Sequence, residues 1–349
     1  MLDLKTYGYT ETQPQPDGLL PARITAAHKE RYELVSQRGT AFGRLKTSAY
    51  HSPEPQIFPT VGDFVFIKEV EGGDCQIVET LPRRTYFARL DPNPNGGTQQ
   101  AVAANIDYVF IMTSLNRDFS VGRVERYLVL ARQSGATPIV ILTKADLVAD
   151  ADMMVSQVKA IAQDIDVVPI CALDGTGLDR IMEYLSPEKT VVFLGMSGVG
   201  KSSLLNALMG KEIMAVGDIR EDDSRGRHTT THRQLLMLPS GAMVVDTPGM
   251  RSIGMWGASD GLSETYADIE ALLTKCRFSD CRHETEPGCA VLEAIENGEL
   301  SVSRLRSYYT MQRESAYSEK RADYLRKKQE WGKSIEKYNR RHYKNEQHE

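Results

Sequence analysis

The run GMSGVGKS (195–202) places glycines at its first and sixth positions, followed by Lys-Ser, which is the spacing of a loop that cradles phosphates. Small residues let the backbone N–H groups from Gly198 to Lys201 converge on an anion, and the helix expected over SSLLNALMG adds the field of its N-terminus. Gly195, Met196, Ser197, Gly198, Val199, Gly200, Lys201, Ser202 and Ser203 form the candidate phosphate-binding set. In it Lys201 would reach the β- and γ-phosphates and Ser202 would ligate Mg²⁺. A second cluster has different chemistry. Cys276, Cys281, His283 and Cys289 follow a C-x₄-C-x-H-x₅-C spacing. Three thiolates and one imidazole make a closed tetrahedral donor set, which suits one structural zinc rather than a catalytic metal with an open position. Five cysteines in 349 residues, three of them in this cluster, are not a disulfide scaffold.

A phosphate loop does not choose a base. TKAD (143–146) stands at the end of an apolar run, where a guanine-specific GTPase carries its N/T-K-x-D motif. Asp146 would accept from guanine N1–H and the 2-amino group, Thr143 begins the motif, and Lys144 would lie along the base. Cys171, Ala172 and Leu173 resemble the S-A-L/K loop that supports guanine, with a cysteine in place of serine. DTPG (246–249) resembles D-x-x-G, in which Asp246 would hold Mg²⁺ and the Gly249 N–H would sense the γ-phosphate. Within RGRHTTTHR (225–233), Thr230 is the candidate switch threonine on Mg²⁺, with Thr229 and Thr231 as alternatives. The residue after DTPG is Met250, whose thioether cannot orient an attacking water. His228 is the nearest capable side chain in the sequence, so the expected catalytic set is His228, Lys201 and Thr230.

These loops need elements to hold them. From residue 107 onward, near-continuous apolar runs such as DYVFIMTS (107–114), TPIVILTKAD (137–146) and TVVFLGMSG (190–198) alternate with helical patterns such as VGRVERYLVLARQSG (121–135). That alternation predicts a mostly parallel sheet covered on both faces, with ligands at the carboxyl ends of its strands. Upstream, five short runs between residues 22 and 81 predict a small closed β-barrel of the OB type, a fold that commonly binds oligonucleotides. The expected division is a flexible arm at 1–20, the barrel at 21–85, the nucleotide domain at 86–270, and a zinc-finger domain with a basic helical tail at 271–349. From Arg304 onward there are thirteen Lys/Arg against seven Asp/Glu, with tyrosines interleaved, a composition that suits RNA phosphates and stacked bases.

Composition narrows the class without naming a partner. With 41% apolar residues, 26% charged residues and a net charge of −5, disordered and collagen-like classes are excluded, and nucleic-acid contact must come from local basic surfaces. No run of about 18 apolar residues could span a bilayer, and the N-terminus lacks the features of a secretory signal, so a cytoplasmic protein is expected.

The motifs run TKAD, CAL, GMSGVGKS, HTTT, DTPG, whereas an ordinary GTPase begins with its phosphate loop; the domain reads as circularly permuted. Barrel, permuted nucleotide domain and Cys₃His finger in succession resemble the ribosome small-subunit-dependent GTPase A family, also called the YjeQ or EngC family. The resemblance implies a GTPase that binds the 30S subunit and 16S rRNA late in assembly, hydrolyses GTP there and then departs; a monomer with one structural zinc, and Mg²⁺ accompanying the nucleotide, is expected. The residues also admit a nucleotide-regulated RNA-binding module with incidental turnover.

Overall fold

The computed structural model describes residues 2–11, 13–28, 31–46, 58–89, 100–116, 119–214, 233–246, 258–320 and 324. Its first strands are short, because each must bury one face in a small barrel: β1 (Leu20–Ala27), β2 (Tyr32–Ser36), β3 (Gly39–Leu45), β4 (Phe64–Lys68) and β5 (Cys75–Thr80). Their order is β1-β2-β3-β5-β4, closed by β4 on β1, with β3 and β5 parallel. Ala22, Ile24, Leu34, Val65, Ile67 and Ile77 fill the interior. Gly62 turns the chain into β4 at φ +89°, where a Cβ would lie 2.2 Å from the Ala104 carbonyl oxygen, so no larger residue fits.

Within residues 1–20 lies a short element. Residues Leu4–Tyr7 form a 3₁₀ turn capped by Asp3, Leu4 is buried, and the Tyr7 carbonyl accepts from Arg23 of β1. Leu4 gives this short turn a buried anchor that its polar neighbours obscure in the sequence.

After the barrel come a hairpin, β6 (Tyr86–Arg89) with β7 (Gln100–Ala104), and then the alternating elements. These are β8 (Tyr108–Ser114), α1 (Val121–Gln133), β9 (Thr137–Thr143), α2 (Ala151–Lys159), β10 (Asp166–Pro169), α3 (Leu178–Met182), β11 (Thr190–Leu194) and α4 (Lys201–Met209). β12 (Arg233–Met237) and β13 (Met243–Asp246) complete the sheet. Its order is β10-β9-β8-β11-β13-β12, parallel except for β12, so the strands that support the base motifs precede β11 in the chain and lie to one side of it.

Successive β8 residues serve opposite faces. Val109 and Ile111 enter the core under α1, while Phe110 and Met112 enter the one shared with Ile181 of α3 and Leu204 of α4. Burial on both faces explains the unbroken apolar runs. The barrel continues this sheet: past a bulge between Ile24 and Ala26, β1 pairs with β12 through Ala26–Gln234 and Ala27–Arg233.

Three short helices follow, α5 (Ser259–Thr265), α6 (Ala267–Leu273) and α7 (Ala290–Glu296), and residues 302–320 are helical. α5 lies so close to α1 that a Cβ on Gly261 would sit 2.1 Å from the Val129 carbonyl oxygen.

Candidate nucleotide and metal sites

β11 is buried throughout and delivers the chain into Gly195, where a Cβ would come within 2.6 Å of the Met112 carbonyl oxygen. Only glycine lets the loop leave the sheet so close to β8. Gly198 and Gly200 hold φ values of +77° and +104°, which turn the loop into α4 at Lys201. Met196, Ser197 and Gly198 are exposed, whereas Val199 is buried and pins the loop to the core beside Leu204. Lys201 reaches back across the loop, and its Nζ donates to the Gly195 and Met196 carbonyls at 2.6 Å each. A cation is thus held at a cluster of backbone N–H groups and a helix N-terminus, with Ser202 and Ser203 in the first turn, an arrangement that recognises phosphate.

The TKAD turn is attached to this loop. Thr143 ends β9, buried, and its Oγ1 donates to the Val199 carbonyl at 2.6 Å. Lys144 then takes the left-handed conformation at φ 59°, and the Ala145 N–H donates to the Ile170 carbonyl at 3.0 Å. This swings Asp146 into an exposed 3₁₀ turn beside the loop that follows β10. In that loop Cys171 is buried, its N–H donates to the Thr176 carbonyl at 3.0 Å, and its thiol engages the carboxylates of Asp146 and Asp174. Burial, chiefly, raises the thiol above its ordinary range, so it stays a protonated donor to Asp146, as a serine hydroxyl would be. Ala172 is half-buried and Leu173 is 87% exposed. Asp246 ends β13, next to β11 in the sheet. His228, Thr229, Thr230, Thr231, Gly249 and Met250 lie outside the described residues.

A family model described as RsgA GTPase matches residues 80–256. The curated "Small ribosomal subunit biogenesis GTPase RsgA 1" of Listeria monocytogenes is 42% identical over 325 residues, 92% of each chain. The chain belongs to the RsgA GTPase family. Hydrolysis of GTP is its activity. Among solved structures, YjeQ from Thermotoga maritima is 27% identical with a TM-score of 0.61, covering 84% of this chain and 97% of that one. YloQ, titled a circularly permuted GTPase, is 24% identical with a TM-score of 0.58 over 89% of this chain and 98% of its own, and supports the permuted fold.

In this RsgA GTPase the four expected metal ligands come together, their donor atoms all within 4.8 Å of one another. His283 Nδ1 lies 3.5 Å from Cys276 Sγ and 3.3 Å from Cys289 Sγ, and those two sulfurs are 4.0 Å apart. A zinc tetrahedron has edges of about 3.8 Å between sulfurs and about 3.5 Å between sulfur and nitrogen, so the donor set fits the ion. Burial and the neighbouring thiols push the Cys281 thiol up to about 11, a crowding that a bound cation relieves. Cys289 caps α7, its Sγ accepting from the Leu292 N–H at 3.5 Å. Glu286 organises the ligand loop: its carboxylate accepts from the N–H groups of Arg282, Glu284 and Thr285 at 2.8 to 3.0 Å, and these bonds hold its pKa down to about 2.

The start of the basic tail does not face outward as its composition suggests. Arg304 is buried, donates twice to Asp268 and once each to Glu125 and the Thr265 carbonyl, and lies over the Tyr266 ring. Tyr308 is buried edge-on to Tyr266, so this helix fastens the C-terminal region onto α1. Among the described residues of the tail, Arg306, Arg313, Lys320 and the rings of Tyr317 and Tyr324 are exposed.

Proposed function

We propose that this GTPase is an assembly factor of the small ribosomal subunit, acting as a monomer in the cytoplasm, with GTP turnover stimulated by the particle it binds. One observation carries the nucleotide part: Thr143 Oγ1 bonds the guanine-reading turn to the phosphate loop through the Val199 carbonyl, so base and phosphate are recognised by one connected unit. Thr143, Lys144, Asp146 and residues 171–173 would read the base, residues 195–203 the phosphates, and Gly249 the γ-phosphate. Ser202, Thr230 and Asp246 would hold Mg²⁺, which supplies charge neutralisation between phosphates. His228 would orient the attacking water. Zinc held by Cys276, Cys281, His283 and Cys289 would supply folding energy to the 271–349 region rather than chemistry.

The partner reading rests on the biogenesis name carried by the Listeria relative and on the small barrel, whose fold suits 16S rRNA. The division of labour follows the sequence boundaries, with the barrel at 21–85 and the C-terminal region gripping RNA and residues 86–270 handling nucleotide. GTP hydrolysis titrated with purified 30S, 50S and 70S particles tests the reading. Stimulation by 30S alone, lost in His228→Ala without loss of GTP or 30S binding, is expected, and equal rates with and without every particle would refute the proposal.

A further inference from the structure

Arg233 opens β12 three residues after Thr230 in the chain, and Arg89 closes β6. Arg89 pairs in register with Gln100, and its Nε donates to Gln100 Oε1 at 2.8 Å. Arg233 Nη1 donates to the carbonyl of Ala101, the next residue of β7. Two guanidinium groups are therefore brought to adjacent positions of one strand, both half-buried and both open to solvent. Among the described residues neither forms an ion pair, and each has a single neutral acceptor for its five donors.

The chain treats its other buried arginines differently. Arg83 meets Asp63, Arg304 meets Glu125 and Asp268, and Arg132 meets Asp164. Arg23 lacks such a contact but spends its donors on five acceptors. Burial, and then the like charge of Arg89, bring Arg233 down to about 10. Two unpaired guanidiniums side by side are costly unless an anion joins them, and planar forks with spare donors match phosphate oxygens.

We infer that Arg89 and Arg233 form a binding site for a phosphodiester of RNA, and that its occupancy fixes the start of β12. The inference rests on the RNA-binding reading above. β12 lies between β13, which ends at Asp246, and β1 of the barrel. A phosphate drawing Arg233 onto the hairpin thus fixes the strand that follows the switch threonines, linking docking to turnover without touching the nucleotide.

The test uses full-length, zinc-loaded protein and purified 30S subunits. Arg89→Gln and Arg233→Gln keep a donor and remove the charge, whereas Arg89→Lys keeps the charge. Each Gln variant should make the slope of log affinity against log salt shallower by about 1. The 30S-stimulated kcat should fall at least about fivefold, the low end for coupled sites, with KM for GTP, unstimulated rate and thermal midpoint at parent values and Arg89→Lys near the parent. Parent-like slope and stimulation in both Gln variants would overturn the inference. Stabilisation of the parent by inorganic phosphate, absent from the Gln variants and without any change of slope, would assign the site to free phosphate and overturn the RNA assignment. A parent that fails to bind 30S refutes the proposed function and this inference together, whereas a binding parent with unaltered variants removes the arginine pair alone.

Discussion

Thr143 illustrates what a motif leaves unsaid. The tetrapeptide TKAD points to guanine recognition through residue types, as proposed above, but the bond from Thr143 Oγ1 to the Val199 carbonyl joins residues 56 apart and needs the fold to appear. Lys144 at φ 59° is equally invisible in the sequence, because neither its type nor its neighbours demand a left-handed residue. Cys171 is a conservative departure once its surroundings are known, since a buried thiol beside Asp146 remains a donor. Asp146 itself is exposed, so beyond the bond from the Cys171 thiol its carboxylate has lone pairs left to accept from a base. Replacing it with asparagine removes an acceptor from guanine N1–H and the 2-amino group while offering a donor to a 2-oxo group. Asp146→Asn is therefore expected to weaken GTP about 10- to 150-fold, the worth of one charge-assisted hydrogen bond, and to bind xanthosine triphosphate instead. Equilibrium binding of the two nucleotides checks this, and unchanged GTP affinity would remove Asp146 from the base site.

At the level of elements, legibility follows burial pattern and length. The parallel strands were readable because both faces are covered, and the barrel because its strands fall between turn residues. The hairpin β6–β7 and strand β12 were not, since YFAR, QAVAA and RQLLM are too short to show a period and owe their pairing to distant partners. The tail misled for a different reason. Arg304, Leu305, Tyr308, Met311, Ser315 and Ser318 are all buried at helical spacing, a stripe hidden beneath a high count of charges. The convergence of the Cys₃His cluster was legible in its spacing, but Glu286, which holds three loop N–H groups, was not. Among the described residues α7 and the loop before it add few buried apolar side chains, so the metal should contribute much of their stability. Chelation, or Cys281→Ser, is expected to unfold this segment and abolish 30S binding while GTP still binds the isolated protein. Metal content by atomic absorption together with nucleotide affinity decides the matter, and one zinc retained per chain in Cys281→Ser/Cys289→Ser would refute the ligand set.

Across the whole molecule, the barrel and the nucleotide sheet are joined at β1, and Arg23 is the side chain that joins them. It is fully buried, and its donors reach Tyr7 of the N-terminal turn, Gly62 of the barrel, Asn105 before β8, Thr190 at the foot of β11 and Met243 at the foot of β13. β11 and β13 carry the phosphate loop and Asp246 at their opposite ends, so one guanidinium ties the barrel to the strands beneath the nucleotide. Removing it orphans the Tyr7 and Asn105 carbonyls and the Thr190 hydroxyl, while the Gly62 carbonyl keeps the Asn105 amide as a donor, and each unsatisfied group costs about 1–3 kcal/mol. Arg23→Ala is therefore expected to cost the junction at least about 3 kcal/mol, which speeds local opening roughly 100-fold. The amides to follow are those of Ile24 and Gly62, which donate to Asp63 and Ile24 respectively, against those in α4 as an internal reference. Hydrogen exchange should accelerate at the first pair and change little in α4. Equal acceleration along the chain would give Arg23 a share in global stability only, and no acceleration at Ile24 or Gly62 would mean that the β1–β12 ladder alone holds barrel and sheet together.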